Sequence, residues 1–261
     1  MTIDGKKIAA DLLEETRQRA LWFGRQPHVV AYVVGESTPP TRSYLNSKKR
    51  SAERAGCMFE ETDSWSHLLE GDAALIQLPT TPEAMRMLDQ LPLEKDADVL
   101  SKAAREKFER GEGYALLPPV VAAVKKILDS GKVEVARKNA VVIGAGFLVG
   151  APVAAWLKQQ GAEVTVVTLE SGDATAALRA ADIIVSGAGS PHLIKPEMLA
   201  EGVVLIDAGT SESNGEIVGD ADPACVAKCS LFTPVPGGVG PLAVACLFEN
   251  VVTLVQRKLD K

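Results

Sequence analysis

An α/β fold of two domains, one of them a Rossmann-type doubly wound parallel sheet, follows from three features of the sequence. Short apolar runs alternate with helix patterns along most of the chain, the signature of strands joined by helical crossovers. The apolar run Ala140-Val141-Val142-Ile143 leads into Gly144-x-Gly146-x-x-x-Gly150 and then a helix pattern, as a phosphate-binding turn does. Near the end, Thr233-Pro234-Val235-Pro236-Gly237-Gly238-Val239-Gly240-Pro241 separates a strand candidate from a long apolar helix pattern. A run so rich in proline and glycine fits neither a helix interior nor a central strand. It brings bare backbone close to something planar or anionic.

The elements are read in order as follows. A helix over 6–22 precedes a strand over 28–34, a helix over 42–55 and a weak strand over 58–61. Ala74 to Pro79 is a strand stopped by its proline, and Pro118-Pro119 opens a helix over 120–128. In the second half, strands over 140–143, 163–167, 182–185 and 203–206 alternate with helices over 149–160, 173–181 and 196–200. Ser230 to Thr233 is a last strand, and 242–259 is the final helix. The boundary falls near Pro119: 1–119 with the C-terminal helix 242–261 form the first domain, and 120–241 the Rossmann domain.

Composition bounds the function. A chain of 261 residues with 46% hydrophobic and 24% charged residues builds ordinary globular cores. A net charge of −6 and three scattered His suggest neither a nucleic-acid surface nor a metal cluster. The start shows no signal-peptide core, and no apolar run is read as long enough to span a bilayer. Cys57, Cys225, Cys229 and Cys246 contain no C-x-x-C pair and are read as reduced thiols. A cytoplasmic protein is expected. Trp22, Trp65 and Trp156 are read as packing residues.

Several residues carry chemistry. The glycines of the 144–150 turn permit backbone approach to a pyrophosphate at a helix N-terminus. Glu170 stands 26 residues after Gly144, past the second strand, where a carboxylate accepts from the ribose 2′-hydroxyl and repels a 2′-phosphate. This favours NAD over NADP. Tyr44 and Lys48, four residues apart, share one face of a helix. With Gln77-Leu78-Pro79 and Lys95-Asp96-x-Asp98 they could converge over one site, although spacing alone names no substrate.

At this point the chain resembles the bifunctional methylenetetrahydrofolate dehydrogenase/methenyltetrahydrofolate cyclohydrolase family over nearly its whole length. The resemblance rests on Tyr44-x-x-x-Lys48, Gln77-Leu78-Pro79, Glu94-Lys95-Asp96-Ala97-Asp98, Val149-Gly150-x-Pro152, Ala181-Asp182-Ile183, Val218-Gly219-Asp220-Ala221-Asp222 and the Pro-Val-Pro-Gly-Gly-Val-Gly-Pro run. It implies two domains around a deep cleft, a homodimer formed through the cofactor domains, and a final helix that returns to the first domain. It implies oxidation of 5,10-methylenetetrahydrofolate with NAD or NADP, then hydrolysis to 10-formyltetrahydrofolate, in one-carbon metabolism. Lys48 would handle protons, Gln77 position it, Tyr44 pack on the folate and Asp98 grip the pterin. Leu78, Pro79, Pro236, Gly237 and Gly238 would complete the substrate site. The cofactor set would be Gly144, Ala145, Gly146, Val149, Gly150, Glu170, Gly187, Gly189 and Thr210. A metal is not implied.

Lys48 is expected to have a lowered pKa from its neighbours Lys49 and Arg50 and from partial burial. The chain departs from the family pattern at several places. Gly144-Ala145-Gly146 replaces Gly-Arg-Ser, and Thr168-Leu169-Glu170 replaces His-Ser-Arg, both removing groups that hold a 2′-phosphate. Val99-Leu100-Ser101-Lys102 replaces Gly-Phe-His-Pro, Leu116-Leu117-Pro118 replaces Cys-Thr-Pro, and Ala243 replaces a Thr. Between Gly56 and Gln77 the chain is short and is read as lacking a helix. The alternatives are a cyclohydrolase or dehydrogenase alone, and a silent folate-binding homologue. Retention of Tyr44, Lys48, Gln77 and Asp98 argues against the last.

Overall fold

The computed structural model describes residues 1–35, 38–113, 115–213 and 215–260, so Lys261 of the expected final helix lies outside the described residues. The chain divides into two compact units, Ala9–Pro119 with Val244–Lys261, and Met1–Ile8 with Val120–Ala243.

The first unit contains most of α1 (Gly5–Leu21), then β1 (His28–Tyr32), α2 (Pro39–Arg54), β2 (Met58–Thr62), α3 (Trp65–Leu68), β3 (Ala73–Ile76), α4 (Pro82–Met87) and α5 (Lys102–Glu109). Its three strands pair in the order β2-β1-β3, all parallel. Helices α2, α3, α4 and α5 start on Thr38, Ser64, Thr81 and Ser101, whose hydroxyls accept first-turn amides that would otherwise lack partners. Val30, Tyr32, Leu68, Ala74, Ile76 and Leu88 form a core on the sheet. Trp65 meets Tyr32 edge-on, with ring centroids 5.7 Å apart.

The Rossmann unit runs from α6 (Pro119–Ser130) through β4 (Asn139–Ile143), α7 (Gly150–Gln159), β5 (Glu163–Val167), α8 (Thr175–Ala180), β6 (Ile183–Ser186) and β7 (Val203–Asp207). A hairpin of β8 (Ser211–Ser213) and β9 (Glu216–Val218) follows, then β10 (Cys229–Phe232) and α9 (Val239–Leu259). The five-stranded sheet is parallel, in the order β10-β7-β6-β4-β5. Strands β6 and β7 are buried at every residue, which is why they read as continuous apolar runs. From Val244 onward α9 belongs to the first unit, where Arg19 of α1 donates to Thr253 at 3.0 Å and Gln256 at 3.2 Å.

Several expectations are corrected. The first eight residues join the Rossmann unit, because the Ile3 amide donates to the Phe232 carbonyl and the Phe232 amide to the Met1 carbonyl, at 2.8 and 2.9 Å. A one-turn helix, α3, stands in the short segment read as lacking one. Helix α9 begins inside the proline-glycine run, since Pro241 lies in a first turn where no helical amide bond is lost. Helix α5 went unread because Phe108 is its one buried residue, leaving no apolar stripe. Trp22 is 89% exposed at the end of α1 and is not a packing residue. Helix α9 is also long and apolar enough to cross a membrane by length and composition, with mean hydropathy 1.6, yet 67% of that window is buried as a core helix is.

The histidines are less scattered than they read. On the outer strand β2, Glu60 accepts from His28 Nε2 at 3.1 Å and from His67 Nε2 at 3.0 Å, and His67 Nδ1 reaches Glu70 at 3.0 Å. These bonds to Glu60, before any other cause, raise the His67 pKa above its ordinary 6.5. A raised imidazole pKa stabilises the fold fully below 6.5 and loses that contribution as pH rises through the folded value. Chemical denaturation at pH 6 and pH 8 should therefore show wild type losing more stability on alkalinisation than His67→Gln. Equal losses would remove His67 as the cause.

Candidate active site

Helix α2 carries Tyr44 and Lys48 one turn apart, and the Lys48 nitrogen lies 5.1 Å from the centre of the Tyr44 ring. Lys48 is only 5% exposed, while Tyr44 leaves 45% of its surface accessible. The amine donates to Gln77 Oε1 at 3.1 Å, just past the end of β3. Gln77 is held in turn, its amide nitrogen donating to the Leu78 carbonyl at 2.6 Å ahead of the cis Leu78–Pro79 bond.

Asp98 follows a segment that lies beside β3, bridged from Ala74 to Asp96. Asp96, part of the Lys95-Asp96-x-Asp98 motif but given no role there, and Asn250, outside the sequence-derived set, fix it there. Buried Asp96 accepts from the amides of Leu100 and Ser101 at 3.1 and 2.8 Å, closing a tight loop around Val99, which sits at a φ of 56°. A β-branched residue in that left-handed region is strained, and the Asp96 clamp holds it there. From α9, Asn250 donates to the carbonyls of Ala97 and Leu117, both at 2.9 Å. No local sequence pattern marks Asn250, because it acts on chain brought to it by folding.

Electrostatics distinguish the two charged groups. Desolvation lowers the Lys48 pKa, and the charge of Asp98 partly restores it. The expected contribution of Lys49 and Arg50 is not the cause; burial of the amine is. Desolvation likewise raises the Asp98 carboxyl, against the pull of Lys48 and with a further push from Asp96. Both groups lie closer to neutrality than they would in water.

In the Rossmann unit the turn after β4 is built from backbone touching backbone. A Cβ on Gly150 would fall on the Gly144 carbonyl, one on Gly144 would meet the Gly187 carbonyl oxygen at 2.9 Å, and one on Gly187 would strike Val149. Gly144 also takes a φ of 90°. Val149 supplies no side-chain cap to α7, whose Ala151 amide donates instead to the Gly146 carbonyl at 3.1 Å. This cradle fits a pyrophosphate. Gly146 stands apart: nothing lies within 4 Å of a Cβ there, so close packing does not require that glycine. Gly189, at a φ of 65°, is equally open, and Ala145 and Thr210 are both exposed. Glu170 is exposed in a single 3-10 turn directly after β5.

The proline-glycine hook folds on itself. The Gly238 amide donates to the Pro234 carbonyl at 2.8 Å, the Val235–Pro236 bond is cis, and Gly237 takes a φ of 111°. Gly5, at the start of α1, packs so tightly on the hook that a Cβ there would fall on the Gly238 carbonyl. Pro236, Gly237 and Gly238 thus present main chain at a position braced by the N-terminal segment.

Residues 118–259 match the NAD(P)-binding domain of the tetrahydrofolate dehydrogenase/cyclohydrolase family. The bifunctional protein FolD of Lactobacillus delbrueckii subsp. bulgaricus is 33% identical, with 98% of this chain and 97% of that protein covered. The bifunctional FolD methylenetetrahydrofolate dehydrogenase/cyclohydrolase structure from Campylobacter jejuni superposes with a TM-score of 0.92 at 30% identity, covering 99% of each chain. The Trypanosoma brucei FolD structure, a complex with NADP and an inhibitor, gives a TM-score of 0.91 at 29% identity, covering 100% of this chain and 99% of that one. With a matched cofactor domain and near full-length relatives, this chain belongs to the tetrahydrofolate dehydrogenase/cyclohydrolase family.

Proposed function

We propose that this protein oxidises 5,10-methylenetetrahydrofolate to the methenyl form and hydrolyses that cation to 10-formyltetrahydrofolate, as a cytoplasmic enzyme of one-carbon metabolism. The observation that carries the reading is the buried Lys48 amine, desolvated and oriented by Gln77. An amine whose pKa is lowered is neutral more often than an ordinary lysine and can take a proton from water as it attacks the methenyl carbon. Gln77 Oε1 accepts a hydrogen bond from Lys48 and so aims the nitrogen. The accessible face of Tyr44 suits a flat folate ring. Asp98 is placed to accept two-handed from the pterin N–H and amino groups.

The Rossmann unit is proposed to bind the nicotinamide, which accepts a hydride when bound. Gly144 and Gly150 let the turn close tightly at the opening of α7, where the pyrophosphate would sit, and Glu170 follows β5 at the ribose position. Ala145 offers no cation to a 2′-phosphate and Glu170 repels one. Both support NAD, in contrast to the NADP held by the Trypanosoma brucei relative. Strand β5 ends the order of the Rossmann sheet, and its uncovered edge supports pairing with a second copy as a homodimer.

Lys48→Met should abolish methenyl hydrolysis, a loss of about 10² or more measured from the disappearance of the methenyl chromophore. In wild type the hydrolysis rate should rise with pH through a pKa below the ordinary 10.5. Full hydrolysis by Lys48→Met would remove the amine from the mechanism. Because binding needs Asp98 ionised, folate affinity should fall on acidification already above the ordinary pH of 3.8, and Asp98→Asn should bind weakly with no such dependence. Finally, wild type should reduce NAD faster than NADP, and Glu170→Gln should narrow the ratio about tenfold, near 1.4 kcal/mol. A wild-type preference for NADP would overturn the cofactor assignment and leave the folate chemistry standing.

A further inference from the structure

We propose that Asp207 and Asp220 act as a pair of positioning residues that lock the loops after β6, β7 and β10 into the shape the nicotinamide requires. The inference rests on the cofactor site proposed above and extends it to residues that do not touch the cofactor.

Both carboxylates are buried, and each is spent on main chain or on one hydroxyl. Asp220 accepts from Ser186 Oγ at 2.6 Å, from the Ala188 amide at 2.7 Å and from the Ser190 amide at 2.8 Å. These donors span the loop after β6 that contains Gly187 and Gly189. Asp207 accepts from the Gly209 amide at 2.9 Å and the Ala221 amide at 2.8 Å, which spans the loop after β7 up to Thr210. Its own amide donates to Thr233 Oγ1 at 2.7 Å, and that hydroxyl also lies 3.3 Å from the Asp207 carbonyl. Thr233 is the first residue of the proline-glycine hook. The loops after β6 and β7 are therefore tied to the two carboxylates, and the end of β10 to the main chain of Asp207, at the edge of a parallel sheet where ligands of such folds bind.

The two acids also interlock. Gly209 lies two residues after Asp207, and a Cβ there would fall inside the Asp220 carboxylate. Gly219 immediately precedes Asp220, and a Cβ there would fall on the Asp207 carboxylate. Each acid fills the space left by the glycine beside the other, so neither loop can move without displacing its partner's anchor. A charged acceptor bonded to several amides is a strong and directional tie, and leaving either acid's donors unpaired inside the fold is costly. Together these features make loop shape, rather than general stability, the property the pair controls.

The test uses the full-length protein, with NAD titrated calorimetrically and both reactions assayed. Asp220→Asn keeps the volume but turns an NH2 group toward amide donors. Gly209→Ala keeps the charge but removes the space. Both should weaken NAD binding, and raise the KM for NAD, by about tenfold or more, with a smaller change in kcat and with Lys48-dependent hydrolysis within about threefold of wild type. Hydrolysis falling in step with NAD binding would mean a global loss of structure and overturn the proposal, as would unchanged NAD affinity in both folded variants. Should either variant fail to fold, Ser186→Ala removes a single donor and is expected to weaken NAD about threefold; no change there overturns the proposal. Wild type that binds NAD without converting folate would sink the enzymatic reading alone. Wild type that binds neither NAD nor NADP would sink this one.

Discussion

Main chain packed against main chain, with no room for a Cβ, is the constraint on which the Rossmann unit depends. Gly144, Gly150 and Gly187 meet where β4, β6 and α7 converge, and Gly5 meets Gly238 at the base of the hook. Close packing of this kind leaves no slack, so loop positions are set by strand ends rather than by long side chains. The cost is that the loops themselves have few side chains to anchor them. Buried Asp207, Asp220 and Thr233 supply that anchorage from behind.

The first unit solves a different problem. It keeps an amine and a carboxylate out of water while leaving both available. Burying a charge is expensive unless it is paired or neutralised. Lys48 is only partly compensated, by the neutral Gln77 acceptor, the Tyr44 ring and the charge of Asp98. Asp98 is held by a loop whose strain at Val99 is borne by Asp96 and whose backbone is fixed by Asn250. Residual desolvation moves both groups toward neutrality.

Much of this was legible in the order of residues. Continuous apolar strands, glycines at a strand-to-helix turn and the proline-glycine run each state a local physical requirement, so the α/β class and the phosphate turn followed from them. The pair Tyr44 and Lys48 was readable because helical spacing alone brings them together. Lys48 also shows the limit: its lowered pKa was expected from adjacent cations together with partial burial, and of the two only burial lowers it.

What only the tertiary structure decided is everything that depends on contacts between distant segments. The sequence determined which residues could be strand, turn or helix, because those preferences act within a few residues. It could not assign residues 1–8 to the Rossmann unit, bring His28 and His67 onto Glu60, or interlock Asp207 and Asp220 with each other's glycines. Partners of that kind are chosen by sheet order and loop closure, and no local pattern encodes them.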